Sequence, residues 1–143
     1  MKFSKTTEYS LRILSYLSID EKKLHTAKNI HENLGIPFRY LRKQLTVLSH
    51  SGLLLSIQGI KGGYKISKKP QEISLMDIVL ATKDDIISEQ CFFGFESCAL
   101  IHKCTMHDKW RNIQSQITDV LQATTLQHIK NSEPNNFILN QIL

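Results

Sequence analysis

Residues 37–67 read PFRYLRKQLTVLSHSGLLLSIQGIKGGYKIS, and two different periodicities meet inside them. In the first half, Tyr40, Leu41, Leu45 and Leu48 recur at helical spacing. Pro37 stands ahead of them with the fixed φ of a first helical residue. In the second half, 53–57 is strand-like and 64–67 alternates apolar with polar. Between them Gly59-Ile60-Lys61-Gly62-Gly63 holds the glycines that a tight hairpin tip requires. Upstream, Thr26 is a good N-cap for a short helix over 27–34, and Gly35 is placed to stop it. Two short helices joined by a turn containing Gly form a helix-turn-helix pattern. Followed at once by a basic hairpin, the pattern predicts a winged helix-turn-helix, mostly α within an α+β class.

The flanks extend this frame. Residues 6–19 carry a wide apolar stripe at helical spacing, with Tyr9, Ile13, Tyr16 and Leu17 on it. Ser74 caps a further short helix over 75–81. From Lys83 to Lys103 no steady period holds, and two cysteines fall in that stretch. A long helix resumes near Thr105, where Trp110, Ile113, Ile117, Val120 and Thr124 follow 3-4-3-4 spacing. In a chain that spans two DNA half-sites, that seam reads as a dimer contact. The expected organisation is a DNA-binding domain over 1–82, a cysteine-bearing loop over 83–105, a dimerisation helix over 106–130 and a loose tail over 131–143.

Composition and charge narrow the partners. With 41% hydrophobic and 22% charged residues the 143-residue chain has a globular composition, which excludes disorder and low complexity. No apolar run approaches the roughly 18 residues of a membrane span, and the start lacks a secretory pattern. A cytoplasmic protein without membrane attachment is expected. Net charge is unevenly divided: residues 1–69 hold 13 Lys/Arg against 4 Asp/Glu, or +9, and residues 70–143 hold 5 against 9, or −4. A basic module joined to an acidic one fits a polyanion binder attached to a part with another task.

Cys91, Cys98 and Cys104 are spaced C-x6-C-x5-C, and His107 follows at C-x2-H. A helix starting near Thr105 puts Cys104 and His107 about one turn apart on a single face. Three readings compete for the cluster: an iron–sulfur centre, a structural zinc, or unligated thiols. Long, uneven intervals suit a cluster wrapped by peptide better than the short knuckles zinc prefers. A Cys–His nucleophile pair can be drawn from Cys104 and His107, or from Cys98 and His102. Nothing in the sequence supplies an orienting third group or an oxyanion site, so the chain does not read as an enzyme.

The stretches MKFSKTTEYSLRILSYL, the 36–67 segment with its GGY wing end, ISLMDIVLAT and CALIHKCTMHDKW together resemble the iron–sulfur winged-helix transcription regulators, the group of IscR-like and NsrR-like proteins. The resemblance covers about residues 1–130. It implies a homodimer on a double-stranded DNA operator, acting as a redox, nitric-oxide or cluster-status sensor, most often a repressor. It also implies a cluster held by Cys91, Cys98 and Cys104, the first interval being six residues where many members have five. His107 stands where IscR-like members have a ligating His, favouring [2Fe–2S]. Glu8 stands where NsrR-like members use an acid from the partner protomer, with [4Fe–4S]. The tight C-x2-H spacing favours His107. The expected DNA readers are Arg39, Tyr40, Arg42 and Lys43 at the start of the third helix, with Gln58 and Lys61 on the wing. Gln58 occupies a place where some members have Arg, and Lys61 supplies charge close by.

Overall fold

The computed structural model describes residues 2–87, 90–98 and 104–132; the expectation of a loose tail beyond residue 132 lies outside them. The order is α1 (Lys5–Ser18), α2 (Ala27–Leu34), α3 (Phe38–His50), β1 (Leu54–Ile57), β2 (Gly63–Ile66), α4 (Leu75–Ala81), α5 (Thr105–Ala123) and α6 (Leu126–Asn131). This is the winged helix-turn-helix that the sequence predicts. Among the described residues no helix is long and apolar enough to cross a membrane.

Each boundary has a local cause. The Ser4 hydroxyl accepts from the Thr7 amide at the head of α1, and the Thr26 hydroxyl does the same for Asn29 at α2. Gly35 ends α2 in the left-handed region, φ 63°, its N–H donating to the His31 carbonyl. Ser74 and Asp77 form a reciprocal capping box at α4. Pro37 differs slightly from expectation. Its ψ of 129° is extended, so it is the N-cap of α3, and Phe38 is the first helical residue.

α1, α2 and α3 bury one stripe each: Ile13, Leu14 and Leu17, then Ile30 and Leu34, then Leu41, Leu45 and Leu48. Each such side chain contributes roughly 1.5–3 kcal/mol by leaving water. The hairpin closes the core with Leu54 and Ile66, paired in an antiparallel register that runs to Ile57 opposite Gly63. Close to its tip it is held by a third strand-like contact. The His25 amide donates to the Tyr64 carbonyl at 2.9 Å and the Tyr64 amide to the His25 carbonyl at 2.8 Å.

The C-terminal part corrects the expectation of one helix over 106–130. α5 stops at Ala123, because Thr124 turns extended, φ −96° and ψ 122°. The chain there pairs with the segment before α4: the Leu75 amide donates to the Thr124 carbonyl and the Leu126 amide to the Ile73 carbonyl. α6 then carries Leu126 into the main core, where it is fully buried. The heptad stripe of α5 is divided as well. Ile117 and the buried Leu121 pack with Met76 and Val79 of α4, while Ile113 and Val120 stay exposed.

Candidate functional site

Two surfaces carry chemistry. The first is built on α3. At 100° per residue, Leu41, Gln44, Leu45 and Leu48 share the inward face, and all four are buried. Arg39 and Lys43 therefore point directly outward, with Arg42 on one flank and Tyr40 on the other; all four are exposed. Gln44 is a buried polar residue with a purpose, since it accepts from the Ser10 hydroxyl at 3.4 Å and ties α3 to α1. Tyr40 is not free. Its ring tilts against Tyr9 at 6.5 Å, and the Arg12 guanidinium lies 6.0 Å from the Tyr9 centroid.

Phe38 was not among the expected readers, yet it stands on the Arg42 flank, exposed, edge-on to His31 at 5.6 Å. The turn behind it is fixed by His31, whose Nδ1 is 2.6 Å from the Ile36 carbonyl. An apolar residue directly after Pro37 was the signal that could have found it. On the wing, Gln58 and Lys61 are exposed. Exposed cations on a helix face and a hairpin, over a packed core, are the arrangement that suits a duplex groove and its backbone.

The second surface is a small cavity of about 60 Å³ whose walls include Cys91, Cys98, Cys104 and His107. It is therefore this fold that gathers all four expected ligands. The three thiols are free and half-buried. Phe92, Phe93, Phe95 and Trp110 line the same space. Phe92 meets Trp110 edge to face at 5.4 Å, and the indole N–H donates to the Gln90 carbonyl at 3.0 Å. Trp110, read from sequence as the first residue of a dimer seam, faces the cysteines instead. Thiolates with an imidazole are soft donors of the kind that hold iron–sulfur clusters or zinc. Among the described residues, however, no group of three or more such donors is arranged to hold a single metal ion.

Glu8 lies elsewhere, in the first turn of α1, and does not line that cavity. Lys5 donates to its carboxylate at 2.7 Å and Lys2 stands at 4.0 Å. The Lys5 hydrogen bond holds the Glu8 pKa below its ordinary value, against a partial desolvation that works the other way.

At the head of α1 sits a carboxylate that sequence reading missed. Asp84, just after α4, accepts from the Ser4 amide at 2.9 Å, the Ser4 hydroxyl at 2.9 Å and the Thr7 hydroxyl at 2.5 Å. Its other oxygen accepts from the Ile86 amide at 3.0 Å. Burial pushes its pKa up, but the bonds from Thr7, Ser4 and Ile86 prevail and hold it below the ordinary carboxylate value. Lys83, beside it, is in the left-handed region at φ 53°. No periodicity marks such a latch; it exists only once α1 and the end of α4 are side by side.

With the fold and both surfaces described, the chain can be set beside known proteins. It is 31% identical over 131 residues to the HTH-type transcriptional regulator NsrR of Bacillus licheniformis, covering 90% of this chain and 92% of that one. Against the HTH-type transcriptional regulator IscR of Pectobacterium atrosepticum it is 32% identical over 105 residues, 73% of this chain but only 63% of that protein. The solved structure of CymR, the global cysteine regulator of B. subtilis, shares the fold with a TM-score of 0.78 at 24% identity, over 91% of this chain and 96% of that one. A family model described as Rrf2, iron-dependent transcriptional regulator, matches residues 3–132, and the chain belongs to that family of transcriptional regulators.

Proposed function

We propose that the protein is a homodimeric repressor that senses redox state, nitric oxide or cluster supply through an iron–sulfur cluster held by Cys91, Cys98, Cys104 and His107. The observation that carries the reading is the single cavity whose walls include all four side chains. Its donor set suits the cofactor, and NsrR and IscR are names borne by relatives at about this identity. When bound, the cluster supplies redox and ligand-exchange chemistry. The chain supplies three thiolates, an imidazole and aromatic rings along the cavity wall. His107 is preferred to Glu8 as the fourth ligand because it lines the cavity, whereas Glu8 is engaged by Lys5. [2Fe–2S] is the favoured cluster; a [4Fe–4S] cluster goes with Glu8 reaching across from the partner.

On DNA, Arg39 and Arg42 are placed to bond guanine edges in the major groove, Lys43 to meet phosphate, Tyr40 to pack on the backbone, and Gln58 and Lys61 to follow the adjacent groove. Two such faces are brought to two half-sites when exposed Ile113 and Val120 of α5 meet their copies in the partner.

Anaerobic purification followed by an absorption spectrum and iron and sulfide assays tests the reading. A coloured protein with acid-labile sulfide is expected. A colourless protein with stoichiometric zinc overturns it. A second reading, thiol oxidation without a cluster, is favoured by the three free, half-buried thiols facing one cavity. It predicts a metal-free protein whose DNA affinity changes on oxidation and recovers with a reductant. His107→Ala is expected to alter the cluster spectrum. An unchanged spectrum there, with a lost one in Glu8→Ala, reverses the choice of fourth ligand.

A further inference from the structure

The wing ends in a feature that its charged residues do not explain. The Gly62 amide donates to the Gly59 carbonyl at 3.0 Å, closing a four-residue turn with Ile60 and Lys61 at its two central positions. The turn admits little variation. A Cβ on Gly62 would lie 2.0 Å from the Ile57 carbonyl oxygen, and one on Gly63 would lie 2.8 Å from the His25 carbonyl oxygen. Gly59 is in the left-handed region at φ 106°. Three glycines therefore fix a blunt, rigid tip, and that tip presents an isoleucine. Ile60 is 106% exposed, the most exposed of the large apolar residues described. Single exposed apolar side chains are common. This one stands between Gln58 and Lys61, the two polar residues on the side of the molecule that the reading above turns toward DNA.

We propose that Ile60 is a specificity-determining residue, an apolar wedge that the wing presses into the minor groove at the edge of each half-site. The proposal rests on the reading of α3 and the wing as the DNA face. A branched aliphatic side chain makes no hydrogen bond to a base edge. It gains by leaving water against sugars and by entering a base step that opens cheaply. Pyrimidine–purine steps such as TA and CA/TG are the ones that do. Lys61 anchors the tip on phosphate and Gln58 bonds the groove floor, where A·T and T·A present the same acceptors and only the guanine amino group marks G·C. The rigid hairpin and its His25–Tyr64 anchor hold the wedge at a fixed distance from α3. The preferred step therefore falls at a fixed offset from the bases α3 reads.

The test uses the full chain and a duplex library randomised across both half-sites and their flanks. Sequences selected by wild type are expected to share a TA or CA/TG step at one flanking position on each side. In a selected duplex, 2-aminopurine in place of the adenine of that step should brighten on binding as the step unstacks. Ile60→Leu should keep both signatures. Ile60→Ser should lose the flank preference and the brightening and bind the wild-type duplex about tenfold more weakly, with the inner positions unchanged. If Ile60→Ser selects the same flanks with the same brightening, the wedge is overturned. If wild type shows no flank preference, it is overturned equally. A library from which wild type recovers no sequence would instead overturn the reading of this face as a DNA-binding one.

Discussion

The winged helix and the cysteine segment obey different rules. In the winged helix, side chains from every element meet in one core, and Ile13, Ile30, Leu41, Leu45, Leu48, Ile73 and Leu126 have no exposed surface. In residues 90–98 there is no helix or strand, and Phe92, Phe93 and Phe95 all face solvent. Among the contacts that hold that segment are the Trp110 indole and the Gln114 amide on the Gln90 carbonyl and the edge contact between Trp110 and Phe92. The first region takes its shape from what it buries. The second owns donors and aromatic rings but buries little of itself.

The largest effect that can break this contrast is on stability. Leu45→Ala empties a fully buried site and is expected to cost about 2–5 kcal/mol of unfolding free energy. Phe93→Ala removes a larger ring from a surface position and should stay within about 0.5 kcal/mol. Chemical denaturation of the two variants decides it. A Phe93→Ala loss as large as that of Leu45→Ala would mean that the cysteine segment belongs to the core after all.

A smaller effect sharpens the same contrast within the winged helix. Arg39 and Arg42 are exposed on a helix whose other face is fully packed, so function and stability separate there. Each Arg→Ala change should weaken specific DNA binding by about 1–3 kcal/mol and leave the melting temperature in place. Titration of a selected duplex beside thermal melts measures both. Unchanged affinity would take these residues out of the reading face, and a lower melting temperature would show that they also hold the fold.

What the sequence disclosed follows the same division. α2, α3 and the wing were readable because caps, glycines and apolar spacing act over four or five residues: Thr26, Gly35 and the Gly59–Gly63 turn each do locally what they do in the fold. Cys91, Cys98, Cys104 and His107 were named together because they lie close in sequence and match the pattern of the family the chain resembles, and they line one cavity. α6 was missed because the heptad pattern runs smoothly into Thr124 and Thr125. The break there comes from pairing with residues 73–75, fifty positions upstream, which local periodicity does not register. The same holds for the stripe of α5: Ile117, one of its members, packs with its neighbour Leu121 on α4 of the same chain. Phe38 and Ile60 escaped because apolar residues in a basic face look like core until the backbone turns them outward.

The smallest predicted effect lies at the border between the two regions. Asp84 begins the cysteine segment and accepts two bonds from Ser4 and one from Thr7, at the head of the helix that also carries Glu8. Replacing it by Asn keeps an acceptor but removes the charge, and should cost about 1 kcal/mol, since hydrogen bonds to a charged group lose part of their worth near solvent. The pH dependence identifies the cause. The folded pKa of Asp84 is depressed, so the unfolded chain takes up that proton first. The carboxylate's contribution is complete above the unfolded value of about 3.9 and disappears as pH falls through the lower folded one. Thermal melts of wild type and Asp84→Asn should therefore differ by a constant amount from neutral pH down to about 5 and draw together as the pH falls below the unfolded value. A gap that does not narrow at all as the pH falls below about 3.9 would show that Asn disturbs packing rather than charge. A gap absent at pH 7 would mean that the winged helix does not feel the root of the cysteine segment at all. A signal at the cysteines would then need some other path to α1.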